Sequence, residues 1–204
     1  MKKPGLLLVL MLCTGAVWAA DARKGEALYA PCVACHGADG TGNTALNSPS
    51  LAGQQAAYLE RQLQHFKNGM RGADPKDTYG MQMRGMAGTL ADEAAIADVV
   101  AYIGTLPAAQ SGEKPEHDKR NGENQYNAAC GACHGGKAEG NVALNAPRLA
   151  GLDGVYLERQ YRNFAAGIRG AHPDDRYGKQ MKMMSTMLAT DKDLADVIGF
   201  ILSQ

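Results

Sequence analysis

Twice in this chain a pair of cysteines separated by two residues is followed at once by histidine, as Cys32-Val33-Ala34-Cys35-His36 and Cys130-Gly131-Ala132-Cys133-His134. The two stand 98 positions apart inside a longer repeat. From Cys32/Cys130 the register runs without a gap through Asn47/Asn145, Pro49/Pro147, Leu51/Leu149 and the run Tyr58-Leu59-Glu60-Arg61-Gln62, matched by Tyr156-Leu157-Glu158-Arg159-Gln160. It continues through Phe66/Phe164, Arg71/Arg169, Tyr79/Tyr177, Met83/Met181, Leu90/Leu188 and Asp98/Asp196. About half of the aligned positions are identical, which helical periodicity alone does not produce. Upstream of the cysteines the offset becomes 97, pairing Gly25 with Gly122 and Tyr29 with Tyr126. One unit is written twice, and any fold has to satisfy both copies.

Ahead of the repeat, Lys2 and Lys3 precede an apolar run from Leu6 to Leu12, and Val17-Trp18-Ala19 has the small-x-small form of an export cleavage site. A signal peptide is therefore predicted over 1–19, cleaved after Ala19. The run is shorter than the roughly 20 apolar residues of a spanning helix, and Leu12 is bulkier than a lipidation signal accepts before Cys13. The chain is expected to be exported, with the periplasm as its compartment. Without the leader, 19 basic residues face 21 acidic ones and four cysteines remain. That balance argues against a nucleic-acid partner, which requires a cationic face.

In an oxidising compartment four cysteines first suggest two disulfides. The histidine after each pair points elsewhere. C-x-x-C-H spacing lets two thiols form thioethers to the vinyl groups of one haem while the adjacent imidazole reaches the iron. Zinc ligation and thioredoxin-like redox pairs use the same letters, but both leave the repeated histidine unexplained. The expected cofactors are two haem c groups, one per repeat, attached through Cys32 and Cys35 and through Cys130 and Cys133, with His36 and His134 as iron ligands. Composition agrees: aromatics are only 6% of the chain, so a porphyrin can supply the large flat group that the side chains lack.

The coarse pattern is all-α. Ala22 to Ala30 suits a short helix. Ala56 to Asn68 carries Leu59, Leu63 and Phe66 at spacings of three and four, and Asp92 to Thr105 places Ile96, Val99, Val100 and Ile103 on one face. Gly37 to Gln54 and Gly69 to Thr89 read as long loops, of a length that a small domain tolerates when they surround something. Pro107 to Lys119 reads as an exposed linker. The expected organisation is a first domain over 20–106, the linker over 107–119 and a second domain over 120–204.

A second axial ligand has to come from elsewhere. Of ten methionines, only Met83/Met181 and Met86/Met184 occur in both copies, and either couple could supply it. Histidine is a poorer candidate, since His65 faces Asn163, His172 faces Asp74 and His117 sits in the linker. Arg61/Arg159 and Arg71/Arg169 read equally well as partners for haem propionates or as solvated side chains. For Tyr58/Tyr156 and Tyr79/Tyr177, packing in a haem pocket is the simpler reading.

With C-x-x-C-H early, Pro49-Ser50-Leu51 and Pro147-Arg148-Leu149 after it, a methionine segment and a closing helix, each unit resembles a class I cytochrome c. The tandem arrangement resembles the dihaem cytochrome c4 family over nearly all of the mature chain. The resemblance implies two domains, each wrapped around one covalent haem and facing each other through a pseudo-twofold interface. It implies that His36 and His134 donate to the carbonyls of Pro49 and Pro147, and that Met83 and Met181 are the second ligands. It further implies that the first and last helices of each unit cross at Gly25 and Gly122, with Tyr29 near Tyr102 and Tyr126 near Phe200. The implied function is non-enzymatic: electron carriage between respiratory donors, such as a membrane reductase or a dehydrogenase, and a terminal oxidase. Transient association with a membrane surface would accompany it. An electron-accepting subunit of a periplasmic dehydrogenase, for example a sulfide-oxidising flavocytochrome, is the alternative. A dihaem peroxidase, which would need an open iron position, is a third.

Overall fold

The computed structural model describes residues 19–110 and 115–204. The expected leader, apart from Ala19, lies outside the described residues. Among these the secondary structure is helical, with two isolated bridges, Asn43 with Ser48 and Asn141 with Ala146, and no longer strand. The first repeat forms α1 (Ala22–Tyr29), α2 (Val33–His36), α3 (Ala56–Lys67), α4 (Thr78–Ala87) and α5 (Glu93–Ile103). The second forms α6 (Lys119–Ala129), α7 (Gly131–His134), α8 (Gly154–Ala165), α9 (Arg176–Met184) and α10 (Asp191–Leu202).

Each set is closed by its first and last helices. α1 lies across α5 and α6 across α10, with backbone against backbone at the glycines. A Cβ on Gly25 would run into the carbonyl of Asp98 and lie 2.9 Å from Cβ of Tyr102; one on Gly122 would meet the carbonyl of Asp196 and lie 3.3 Å from Cβ of Phe200. This approach brings the rings of Tyr29 and Tyr102 to 5.3 Å and those of Tyr126 and Phe200 to 4.9 Å. A repeated carboxylate pins the same crossing. Asp98 accepts from the backbone N–H of Asp21 at 2.7 Å, and Asp196 from that of Asp118 at 3.0 Å. Asp21 and Asp118 are the residues whose side chains cap α1 and α6. Hydrogen bonds from Lys192 and Asn121 hold the Asp196 carboxyl at about 2. Under the crossings lie two aliphatic cores, Ile96, Val99, Val100 and Ile103 with Tyr29 and Leu59 in one, and Leu194, Val197, Ile198 and Ile201 with Tyr126 and Leu157 in the other.

One expectation is corrected. The stretch from Gly69 to Thr89 is not loop throughout, because α4 occupies Thr78–Ala87 and α9 its counterpart. Gly80 and Gly85 lower helix propensity and hide the segment. Gly80 serves packing instead: Gly72, at φ 74, passes so close that a Cβ there would strike the Gly80 carbonyl. The carboxylates of Asp77 and Asp175 start the helices by accepting from Gly80 N–H at 3.0 Å and Gly178 N–H at 2.8 Å.

The 107–119 stretch is exposed at most of its described positions, with local anchors at Ala108, Ala109 and His117. Ala109 is buried and donates its N–H to the Ala52 carbonyl at 3.4 Å. Ala108 lies over Gly53, the Ala109 carbonyl lies against Gly151, and the His117 ring packs on Gly199. Ala108 and Ala109 are small enough to lie against the backbones of Gly53 and Gly151, one from each half.

Candidate functional site

His36 and His134 end the two short helices α2 and α7, and both are buried. From each, the chain turns back so that Nδ1 lies 2.8 Å from the Pro49 carbonyl in the first repeat and 2.9 Å from the Pro147 carbonyl in the second. Such a bond puts the proton on Nδ1 and leaves Nε2 as a lone-pair donor. Burial lowers the pKa of both imidazoles despite the proline carbonyls, which keeps them neutral. Nε2 of His36 is buried and has no hydrogen-bond partner among the described residues. An orphaned ring nitrogen of this kind is what an iron ligand requires.

The thiols of Cys32, Cys35, Cys130 and Cys133 form no disulfide among the described residues. Burial, with the neighbouring thiol of its pair second, pushes Cys32 up and Cys130 up to about 11. A redox-active pair depends on the opposite shift, which makes thiolate at neutral pH. Among the described residues no three His, Cys, Asp or Glu side chains converge as a zinc site would. The setting suits thioether attachment to an apolar ring.

One continuous cavity runs between the two repeats and is lined by both C-x-x-C-H segments. Its walls are largely aliphatic, including Leu51, Leu59 and Leu63 on one side and Leu149, Leu157 and Ile198 on the other. Met83, Met86, Met181 and Met184 also line it, whereas Met81, Met183 and Met187 do not. Met86 and Met184 are each 37% exposed, while Met83 and Met181 are more deeply placed. The structure thus brings all eight predicted site residues to one cavity.

The reading of the repeated arginines as solvated side chains is overturned. Arg71 and Arg169 are buried, Arg61 and Arg159 half-buried. Arg61 reaches into the second repeat, donating to Oδ1 and the carbonyl of Asn145 at 3.1 and 2.9 Å. Arg159 does the reverse, donating to Oδ1 and the carbonyl of Asn47 at 2.9 and 2.8 Å. Between them Arg71 donates to Gln62, Gln160 and the Tyr156 hydroxyl, and Arg169 to Gln160, Gln62 and the Tyr58 hydroxyl. The reciprocity is a pseudo-twofold axis written in hydrogen bonds. No ion pair joins any of the four guanidinium groups to a carboxylate among the described residues. Nε of Arg61, Arg71 and Arg159 is buried without a partner among the described residues. Although burial raises the Tyr58 pKa, Arg169, Arg71 and Arg61 together draw it below the ordinary phenol value. A cationic cluster with spare donors beside the cavity fits a ring that carries carboxylates.

Sequence reasoning missed Asn47 and Asn145, marked only as repeat positions. Both adopt the left-handed conformation, φ 57 and φ 55, and present side chain and carbonyl together to an arginine.

Comparison with known proteins gives concordant results. A family model described as cytochrome c matches twice, over residues 22–107 and 120–204. The chain is 32% identical to a cytochrome c4 of Azotobacter vinelandii over 96% of its own length and 95% of that relative's. It is 34% identical to a thiosulfate dehydrogenase electron acceptor of Thiomonas intermedia, covering 76% of this chain and 73% of the other. The crystal structure of reduced recombinant cytochrome c4 from Pseudomonas stutzeri superposes with a TM-score of 0.71 at 28% identity, covering 90% of this chain and 98% of that one.

Proposed function

The chain belongs to the dihaem cytochrome c4 family, and on that premise we propose that it carries electrons in the periplasm between respiratory-chain donors and a terminal oxidase. It is an electron-transfer protein with two cytochrome c domains and two haem c groups. Haem iron supplies a one-electron couple. Cys32, Cys35 and His36 hold one haem, and Cys130, Cys133 and His134 the other. Met83 and Met181, on helices α4 and α9, would supply the second ligand to each iron, and a thioether favours the reduced iron, raising its potential. The observation that carries the reading is the buried neutral histidine of each domain, hydrogen-bonded at Nδ1 to a proline carbonyl, with a methionine helix lining the same cavity. With both methionines so placed, each iron would have no open position for peroxide. Among the described residues no helix is long and apolar enough to cross a membrane.

The relative named as a thiosulfate dehydrogenase electron acceptor favours a second reading, in which a periplasmic dehydrogenase is the donor and binds the chain tightly. Co-purification separates the two: a stoichiometric dehydrogenase retained at high salt supports the bound acceptor, and its absence supports the free carrier.

The absorption spectrum of the oxidised protein tests the ligation. A weak band at the red end, of the strength expected for two methionine-ligated haems, is the expected result, with negligible peroxide turnover. High-spin features at either haem would contradict it.

A further inference from the structure

The interface arginines are crossed, and the crossing assigns each of them an effect on the opposite domain. Arg61 belongs to α3 of the first domain, yet its two hydrogen bonds end on Asn145 of the second. Asn145 is two residues before Pro147, whose carbonyl accepts from His134. The Arg61 guanidinium also lies 4.8 Å from the centre of the Tyr177 ring, and Asn145 donates to the Tyr177 hydroxyl at 2.9 Å. Tyr177 stands on α9, four residues before Met181 and so on the same helix face. One arginine of the first domain thereby braces both the histidine side and the methionine side of the second domain's pocket. Arg159 repeats the arrangement on Asn47 and, at 4.6 Å, on Tyr79, four residues before Met83.

We propose that Arg61 sets the reduction potential of the haem held by the second domain and Arg159 that of the haem held by the first. Each acts as a positioning residue and as a fixed positive charge. Reduction makes an iron centre less positive, so a nearby cation favours the reduced form, and the effect is strong where water is excluded. The bidentate grip also fixes the loop whose proline carbonyl orients the histidine ring, a contact that tunes the metal. Arg71 and Arg169 differ because their donors are shared between Gln62 and Gln160, one from each domain. The division of labour follows: the central pair joins the domains, and the outer pair reports one domain's presence to the other's haem.

The test rests on the methionine reading above only for its backgrounds. In holoprotein carrying Met83→Ala, the high-potential wave that remains belongs to the second domain; in Met181→Ala it belongs to the first. Adding Arg61→Gln is expected to move the remaining wave down in the Met83→Ala background, by the equivalent of about a tenfold change in the oxidised-to-reduced ratio. It should leave the wave in place in the Met181→Ala background. Arg159→Gln should give the mirror image. Arg61→Lys, which keeps the charge, should recover most of the shift. Movement of the same domain's wave, equal movement of both, or movement of neither overturns the proposal. If Met83→Ala and Met181→Ala leave both waves in place before any arginine is changed, the ligand assignment has failed instead. The crossing is then read with Met86→Ala and Met184→Ala as backgrounds.

Discussion

Replacing Cys130 and Cys133 together by serine is expected to yield a protein with one haem per chain instead of two and to unfold most of the second domain while the first stays loaded. The reason lies in how that domain is built. Leu149, Leu152, Leu157, Phe164, Leu188, Leu194, Val197, Ile198 and Ile201 turn towards the cavity, and only three phenylalanines serve the whole chain. Burial of each such side chain is worth about 1.5–3 kcal/mol, so a few left against water cancel much of the roughly 5–15 kcal/mol that stabilises a domain. A domain of this size is already near the lower limit for a self-sufficient core. The pyridine haemochrome assay on purified protein counts the haems, and far-UV circular dichroism reads the helix lost. Cys130→Ser alone, which leaves the Cys133 thioether, should keep the haem and lose much less helix. Two haems in the double variant, or unchanged helix content, would contradict the account.

The second large effect falls far from the cavity. Gly25→Ala or Gly122→Ala is expected to cost about 3 kcal/mol or more, at the upper end of overpacking penalties, lowering the Tm of the altered domain by about 15 °C. The added methyl meets a backbone carbonyl, Asp98 in one domain and Asp196 in the other. A carbonyl inside a helix cannot swing aside as a side chain would. The helices must part, and with them go the ring contact and the carboxylate bond to the capping aspartate. Gly85→Ala is the control. It lies within α4 with nothing inside 4 Å of a built Cβ, so it should be neutral or stabilising by up to about 1 kcal/mol. Thermal unfolding followed by circular dichroism compares the three. A Gly25→Ala protein that melts with the wild type would mean that the crossing is looser than drawn.

How much of this was legible in the sequence depended on whether the signal was local. The helices around Leu59–Phe66 and Ile96–Ile103 followed from apolar spacing, and the structure ends α5 at Ile103, two residues short of the expected Thr105. α4 and α9 escaped because Gly80 and Gly178 serve close backbone approach and, like Gly85, read as loop. The cysteines and histidines announce themselves by spacing. Asn47, Asn145 and the four arginines do not, because their partners in the other repeat lie 84 to 112 residues away, beyond any local pattern. A trace of them was present all the same. Duplicated copies retain Tyr58/Tyr156, Gln62/Gln160 and Arg71/Arg169, polar residues on no apolar face, and a fold with two like halves has one place where such residues can meet their own repeats. Asp98/Asp196 is a similar case, a repeat marker whose task, accepting the N–H of the residue that caps the opening helix, became visible only with both helices in place.

One methionine-ligated iron is expected in each domain. Spectroelectrochemical titration of the Met181→Ala holoprotein reads that most directly. Loss of one of the two ligand sulfurs should send one wave to much lower potential, halve the weak red band and open that iron to small ligands, with the other wave unmoved. Two unchanged waves with the full red band in Met181→Ala, and the displaced wave found in Met184→Ala instead, would contradict it.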